Sequence, residues 1–482
     1  MEDRKLEILY ISTECYPAAK VGGLADVVGA LPKYLNSFNA NVGVAIPKYR
    51  MEWIMSQEFE FRHSGSFYLG SEEIWFTVEK IKDNPLGFDL YTIDIPGKFD
   101  RYGVYSNEHG DYFWDEIGRY MSFCRSFLDW IMAWEEKPDL VHCHDHHTGL
   151  VPFMMQSCFK YKPLSRMPVV FTIHNERYQG AFRWDLHYLL PAFDSWKSGM
   201  IDWKNTINPL AAGVKCAWKV TTVSPSYMEE LKYNSFGLEG LFYSESHKCI
   251  GILNGIDAES WNPRTDPLIE VALKRSISKF KEENKRALLA GSVLKENLPI
   301  ISYIGRFAGE KGADLLPALM DRCLSAGMQV QFLILGTGDK SVEHYMRVLE
   351  NKYPYQTYIR IAYNEKFAHQ VYAASDFLLM PSRVEPCGLN QMYAMRYGTI
   401  PIVHNIGGLK DSVVDIEASD QGSGIKTFTL HQNDLVMAVY RAVKLYEDQK
   451  RFQKIRTYIM GLDFSWDKSA NIYMNLYREL IQ

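Results

Sequence analysis

Residues 376–398 read DFLLMPSRVEPCGLNQMYAMRYG. The run DFLLMPS (376–382) is short and apolar, which predicts a buried strand. Gly388 then opens an amphipathic stretch that predicts a helix over 388–397. A buried strand that passes through a turn into a helix is the repeating step of a parallel α/β sheet. The start of such a helix offers unpaired N–H groups and a partial positive charge, which suit phosphate. Glu385 sits at the same mouth. A carboxylate there must grip something else, such as sugar hydroxyls or a developing cation. The combination fits a sugar nucleotide.

Working outward, the same alternation recurs. Strands are predicted at 300–305, 330–335, 358–362, 376–381 and 400–404, with helices at 312–326, 341–351, 365–374, 388–397 and 432–446. An earlier series has strands at 6–12, 41–47, 89–95, 139–144, 168–173 and 219–223, with helices at 24–37 and 112–134. Residues 50–110 read as hairpins and loops inserted into that layer. Residues 254–297, which include Pro263, Pro267 and a charged helix-like stretch, join the two series. The final aromatic helix, 465–481, has no strand to serve in the second series and is expected to return to the first. The fold class is therefore α/β, with two Rossmann-like doubly wound domains facing across a cleft. The expected domains are 1–255, joined by 465–482, and 256–464.

The bulk properties narrow the function. A chain of 482 residues exceeds one ordinary core. Its net charge of −5 argues against a general nucleic-acid binder. No run of roughly 18 apolar residues suggests a membrane span, and the charged start MEDRKLEILYIST has no leader-like apolar region. Eight cysteines are scattered without metal-type pairing, as expected of reduced core thiols in a cytoplasmic protein.

Further segments carry chemistry. KVGGLADVVGALP (20–32) follows the first strand: Gly22 and Gly23 allow close backbone approach and Lys20 can neutralise an anion, although a diglycine turn can equally be a tight connection. HCHDHHTGL (142–150) packs four histidines around Asp145 at a strand end. His142 and His144 share one strand face and could ligate a metal together, yet no further ligand stands at zinc-like spacing. Asp145 could hold sugar hydroxyls or cap a turn. TIHNERYQG (172–180) brings His174 and Asn175 to another strand end, where a histidine is often only a structural hydrogen-bonder. IGRFAGEKG (304–312) flanks a tight turn with Arg306 and Lys311, a pair able to hold a diphosphate or simply to face solvent. HNIGGLKDSV (404–413) adds a second diglycine turn, Gly407–Gly408, read as a source of backbone donors.

In order along nearly the whole chain, these segments resemble the bacterial glycogen synthase and plant starch synthase family. KVGGLADVVGALP resembles that family's KTGGLADVxGALP, and HCHDHHTGL its HxHDWHTGL. TVSPSY (222–227), GILNGIDAESWNP (251–263) and residues 375–415 match as well. The resemblance implies the glycosyltransferase-B arrangement. It implies transfer of glucose from a nucleotide diphosphate sugar to the nonreducing 4-hydroxyl of an α-1,4-glucan, with retention and without a cofactor or required metal. ADP-glucose is the implied donor, with UDP-glucose as the alternative.

The implied catalytic set is Asp145 and His174 at the glucose, Arg306 and Lys311 on the diphosphate, and Glu385 beside the glucose ring. The implied donor-binding set is Lys20, Gly22, Gly23, Asn254, Gly388, Leu389, Tyr393, Gly407, Gly408 and Leu409. Val21, His146, Glu176, Arg177, Gly309, Glu310 and Ser412 depart from the family pattern. Rival readings are a pyridoxal-phosphate phosphorylase-like enzyme, for which no lysine motif stands out, a non-catalytic glucan-binding protein, and a metal enzyme built on the histidine cluster. No nucleic-acid or membrane partner is expected.

Overall fold

A computed structural model describes residues 4–107 and 110–481. The chain divides into two compact units, Met1–Gly255 with Trp466–Gln482, and Ile256–Ser465.

In the first unit the strands are β1 (Leu6–Ile11), β2 (Ala40–Pro47), β3 (Phe59–Leu69), β4 (Glu72–Ile81), β5 (Asp89–Asp94), β6 (Leu140–His144), β7 (Val169–Ile173), β8 (Asp202–Trp203), β9 (Thr206–Ile207), β10 (Lys219–Thr222) and β11 (Cys249–Gly251). Nine form one sheet in the order β11-β10-β7-β6-β1-β2-β5-β4-β3, and β8 and β9 form a separate two-stranded ribbon. Pairing is parallel from β11 to β5. Only the β3–β4 hairpin and its junction with β5 are antiparallel. The segment read as inserted hairpins and loops therefore extends the same sheet at its edge. The order reverses direction between β1 and β6, so the loops after those two strands diverge and leave a crevice.

The helix Gly23–Leu35 follows β1, and its buried Leu24, Val27, Val28, Leu31 and Leu35 recur at helical spacing. The helix Trp466–Ile481 packs against it. That last helix is fastened by polar contacts as well as by packing. Tyr477 Oη lies 2.6 Å from Tyr10 Oη and 2.7 Å from His142 Nδ1. His142 Nε2 lies 2.6 Å from Thr172 Oγ1, which lies 2.5 Å from Thr221 Oγ1. The chain of hydrogen bonds runs across β1, β6, β7 and β10 and satisfies polar groups that would otherwise be costly to bury.

In the second unit β12 (Ile300–Ile304), β13 (Gln331–Gly336), β14 (Thr357–Ile361), β15 (Phe377–Met380), β16 (Ile400–His404) and β17 (Ile425–Thr427) make an all-parallel sheet in the order β14-β13-β12-β15-β16-β17. Numbered within the unit this is 3-2-1-4-5-6, the doubly wound Rossmann order. Its reversal falls between β12 and β15. Asp376, just before β15, is fixed by Lys285 and Arg456, each at 2.9 Å, and by the Ile300 N–H at 3.0 Å. Burial alone would raise that carboxyl; the two cations outweigh it and hold it below the usual range. β15 thus starts from a neutralised anchor, and this fixes the position of the turn at its far end.

The eight cysteines form no disulfide, and all but Cys249 are buried. Among the described residues no helix is long and apolar enough to cross a membrane.

Candidate active site

Both sheets deliver their chemistry at the reversal point. In the second unit, the loop after β12 carries Arg306 and Lys311, and the segment after β15 carries Glu385. Lys311 Nζ lies 2.7 Å from Glu385 Oε1, and Ser382 Oγ donates to Glu385 Oε2 at 2.9 Å. Glu385 is buried, with only 7% of its side chain exposed against 29% for Lys311. The carboxylate is therefore held from both sides, while the ammonium keeps a face toward solvent. Arg306 is more open, 66% exposed, and pairs with Glu310 at 2.7 Å. The two segments are stitched together by Arg383, which makes a forked pair with Asp314 at 2.6 and 2.8 Å. The Arg383 N–H also donates to the Glu310 carbonyl at 2.8 Å.

The second diglycine departs from its reading as a donor turn. The Gly408 N–H donates to the Glu385 carbonyl at 3.1 Å. A Cβ on Gly407 would fall 2.0 Å from that oxygen, and one on Gly408 would fall 2.1 Å from the Cys387 carbonyl. Two backbones cross here at a distance only glycine permits. Their work is to seat the Glu385 segment, and the Gly408 donor is used internally. Leu409 is fully buried, so its side chain belongs to the core.

Gly388 has φ of +68°. The helix after it begins at Asn390, two residues later than the sequence predicts, with Leu389 at its N-cap position. Tyr393, assigned to the donor, belongs to an aromatic stack in this unit. Its ring stacks on Trp261 at 3.7 Å and 15°, and His369 stacks on the same indole at 3.9 Å and 14°. Tyr393 is 9% exposed.

In the first unit, Gly22 and Gly23 present the opposite situation from Gly407 and Gly408. A Cβ at either would meet nothing within 4 Å. Neither has positive φ. The unit's own packing gives no reason for glycine there, which leaves room for something that approaches the backbone. Part of the loop's donor set is committed, however. Glu14, which sequence reasoning passed over, is buried and accepts from the Val21 N–H at 2.6 Å and the Gly22 N–H at 2.8 Å. Tyr105 donates to its other oxygen at 2.7 Å. Burial raises the Glu14 carboxyl, and these donors offset only part of the rise. Its position just past β1 was the available signal. Lys20 lies 2.6 Å from Asp26 and 5.0 Å from the centre of the Tyr16 ring.

Asp145 opens a turn directly after β6 with φ of +56°, a left-handed conformation that costs energy for a residue with a side chain. Its Oδ1 accepts the His174 N–H at 2.7 Å, which ties the ends of β6 and β7 together. Burial pushes its carboxyl up to about 7, against the lowering effect of the His174 and Asn175 N–H groups. His174 Nε2 lies 3.1 Å from His144 Nδ1. Burial pushes the His174 imidazole down to about 3, so it is neutral near pH 7. His142 and His144, the pair considered for metal, stack at 4.4 Å and face Tyr477, Thr172 and His174 instead. Asn254 is buried in this unit, and its N–H donates to the Val223 carbonyl at 3.3 Å. Glu176, a departure from the family pattern, is buried against the Tyr227 hydroxyl.

Known proteins align with this arrangement from end to end. Residues 7–244 match the family described as "Starch synthase catalytic domain", and residues 284–457 match "Glycosyl transferases group 1". The chain is 47% identical to a glycogen synthase from Flavobacterium johnsoniae over 99% of its length and 100% of that protein. It is 35% identical to a glycogen synthase from Anoxybacillus flavithermus, covering 99% and 98%. Among solved structures it resembles the catalytic domain of starch synthase IV from Arabidopsis thaliana bound to ADP and acarbose. That likeness has a TM-score of 0.87 and 30% identity over 99% of both chains. A sucrose-phosphate synthase from Thermosynechococcus elongatus shares the fold at TM-score 0.62 and 18% identity, again over 99% of both chains.

Proposed function

The chain belongs to the glycogen and starch synthase family of glycosyltransferases, and we propose that it transfers glucose from ADP-glucose to the nonreducing 4-hydroxyl of an α-1,4-glucan, with retention of configuration. The observation that carries this reading is the Lys311–Glu385 pair at the reversal point of the second sheet, beside the exposed Arg306. The ADP in the similar Arabidopsis structure supports the choice of nucleotide.

In the second unit, Arg306 and Lys311 would meet the two phosphates and stabilise the charge that the leaving diphosphate gains. Glu385 would face the glucose, orienting its hydroxyls and offsetting positive charge as the bond from C1 to oxygen breaks. It is an orienting group in this reading, because both of its oxygens are already engaged by Lys311 and Ser382. The attacking hydroxyl would add from the face that the diphosphate leaves, and the departing phosphate oxygen would take its proton. In the first unit, Asp145 and the neutral His174 would hold sugar hydroxyls. Lys20 and the open backbone at Gly22 and Gly23 would meet the donor phosphates. No cofactor or metal is assigned to these steps.

The test is one assay of purified protein, with ADP-glucose and UDP-glucose side by side on glycogen and on short maltooligosaccharides. Glucan extension matched by ADP release, faster than with UDP-glucose, is the expected result. Preference for UDP-glucose would overturn the nucleotide assignment, and nucleotide release without glucan extension would overturn the reaction.

A further inference from the structure

Glu116, His146 and His147 come together in the first unit on a different set of contacts from those of Asp145 and His174. Glu116 opens the helix Glu116–Met132, and the two histidines lie in the turn Asp145–Thr148. Glu116 Oε1 is 3.9 Å from His146 Nε2 and 3.6 Å from His147 Nε2. Ligand atoms from the three residues all lie within 4.8 Å of one another. These separations are too long for hydrogen bonds. The shortest is close to the spacing of neighbouring ligands around a tetrahedral zinc ion, about 3.3 Å for bonds of about 2.0–2.1 Å, and the wider ones would have to close in on the ion.

Both imidazoles are buried, with side chains only 10% and 7% exposed, and they turn Nε2 toward Glu116. The two rings also pack on each other, with centroids 3.7 Å apart. The rings are fixed in place. His147 stacks on Tyr105 at 4.9 Å and 13° and tilts against Tyr120 at 4.3 Å. His146 lies over Gly180, where a Cβ would come within 2.5 Å of its ring.

We infer that Glu116, His146 and His147 form a binding site for a divalent transition-metal ion, zinc by preference, with two imidazole nitrogens and one carboxylate oxygen as ligands and a fourth position left open. A pocket of about 130 Å³, lined by these residues together with Met121, Leu150 and Phe182, gives room for a water or small ligand at that position. Glu116, with 46% of its side chain exposed, provides the way in. Two histidines with one carboxylate form a recognised zinc donor set. The ion would brace the turn that begins at Asp145 against the helix Glu116–Met132. It is separate from the transfer chemistry proposed above.

The test is calorimetric titration of zinc chloride into the full-length protein after chelator treatment, with absorption spectroscopy at the zinc edge. One ion per chain is expected, with Kd in the micromolar range or tighter and two imidazoles in the coordination shell. His146→Trp and Glu116→Gln should each weaken binding by at least the roughly tenfold that losing even an outer-shell partner costs. Should His146→Trp fail to fold, Glu116→Gln carries the test alone, since that side chain is half exposed. Binding no tighter than millimolar, or binding unchanged by Glu116→Gln, would overturn the site. The readout is bound metal, so the result stands apart from whether the glucosyl transfer reading holds.

Discussion

Lys311 and Glu385, 74 residues apart in sequence, form a 2.7 Å ion pair that bridges the segments after the two strands on either side of the sheet reversal. The sequence assigned them to opposite ends of one ligand, a cation for the diphosphate and a carboxylate for the sugar. Their contact makes them a single device, in which the charge of each sets what the other can do.

Removing one partner should therefore cost more than a lost phosphate contact. Lys311→Ala leaves a buried carboxylate with Ser382 as its remaining side-chain partner. A loss of stability of about 1–3 kcal/mol is expected, together with a fall in turnover of roughly 100-fold or more. Glu385→Gln keeps hydrogen-bonding oxygen and nitrogen in place and should fold normally while losing turnover on a similar scale. The double variant should be far less than additive, because contacting residues couple. Denaturant unfolding and steady-state kinetics on the four proteins of the cycle measure both effects, and simple additivity would contradict the pairing.

Arg306→Ala separates charge from stability. The side chain is 66% exposed and pairs with its near neighbour Glu310 across the surface of the loop. Its removal should move the unfolding midpoint within experimental scatter, as exposed pairs contribute about 0–1 kcal/mol. Turnover should still drop roughly 100-fold if the guanidinium meets the leaving diphosphate. Near-native turnover would remove Arg306 from the reaction.

Asp145 gives a pH prediction with a definite sign. Its carboxyl titrates near 7 in the fold against an ordinary 3.8. Folding therefore resists its ionisation, and this penalty is absent at acid pH, grows between about pH 4 and pH 7, and is complete above that. Asparagine can keep the left-handed turn and accept the His174 N–H without ever ionising. The stability of Asp145→Asn relative to the parent should rise across that window and level off beyond it. Thermal unfolding of both proteins at about pH 4.5, 6 and 8 would reveal the trend, and a constant difference would refute it.

The two diglycines should respond in opposite ways to alanine. Gly408→Ala places a Cβ about 2.1 Å from a carbonyl oxygen and should destabilise the second unit by more than about 3 kcal/mol. Gly22→Ala meets nothing within 4 Å at an ordinary φ of −139°. It should leave stability within about 0.5 kcal/mol and instead raise KM for the nucleotide sugar. Unchanged KM in a stable Gly22→Ala protein would mean that the open backbone serves no ligand.

Much of this architecture was legible because buried parallel strands announce themselves: LEILYI, FLLM and IPIVH are short apolar runs whose positions match β1, β15 and β16 closely. The edge hairpin was harder. β3, FEFRHSGSFYL, keeps most of its length exposed and buries only Phe67 and Leu69, so its alternation is faint. The site residues at strand ends were found by the same logic that found the strands. What escaped was partnership. Nothing local in the sequence tells that Tyr393 lies against Trp261, far back along the chain, or that Gly408 gives its donor to Glu385. Glu14 was missed because the groups that hold it, Tyr105 and two loop N–H donors, meet it only in the fold.

The helix Trp466–Ile481 carries a consequence for how the molecule is made. It follows the whole second unit in the chain, yet its Tyr477 locks onto Tyr10 in the first strand of the first unit. A chain cut short at Ser465 would hold a complete second unit and a first unit still missing its closing helix. Protease applied to that shortened chain should spare the later-made unit and cut the earlier one. Of the two units, the one translated first is the one finished last.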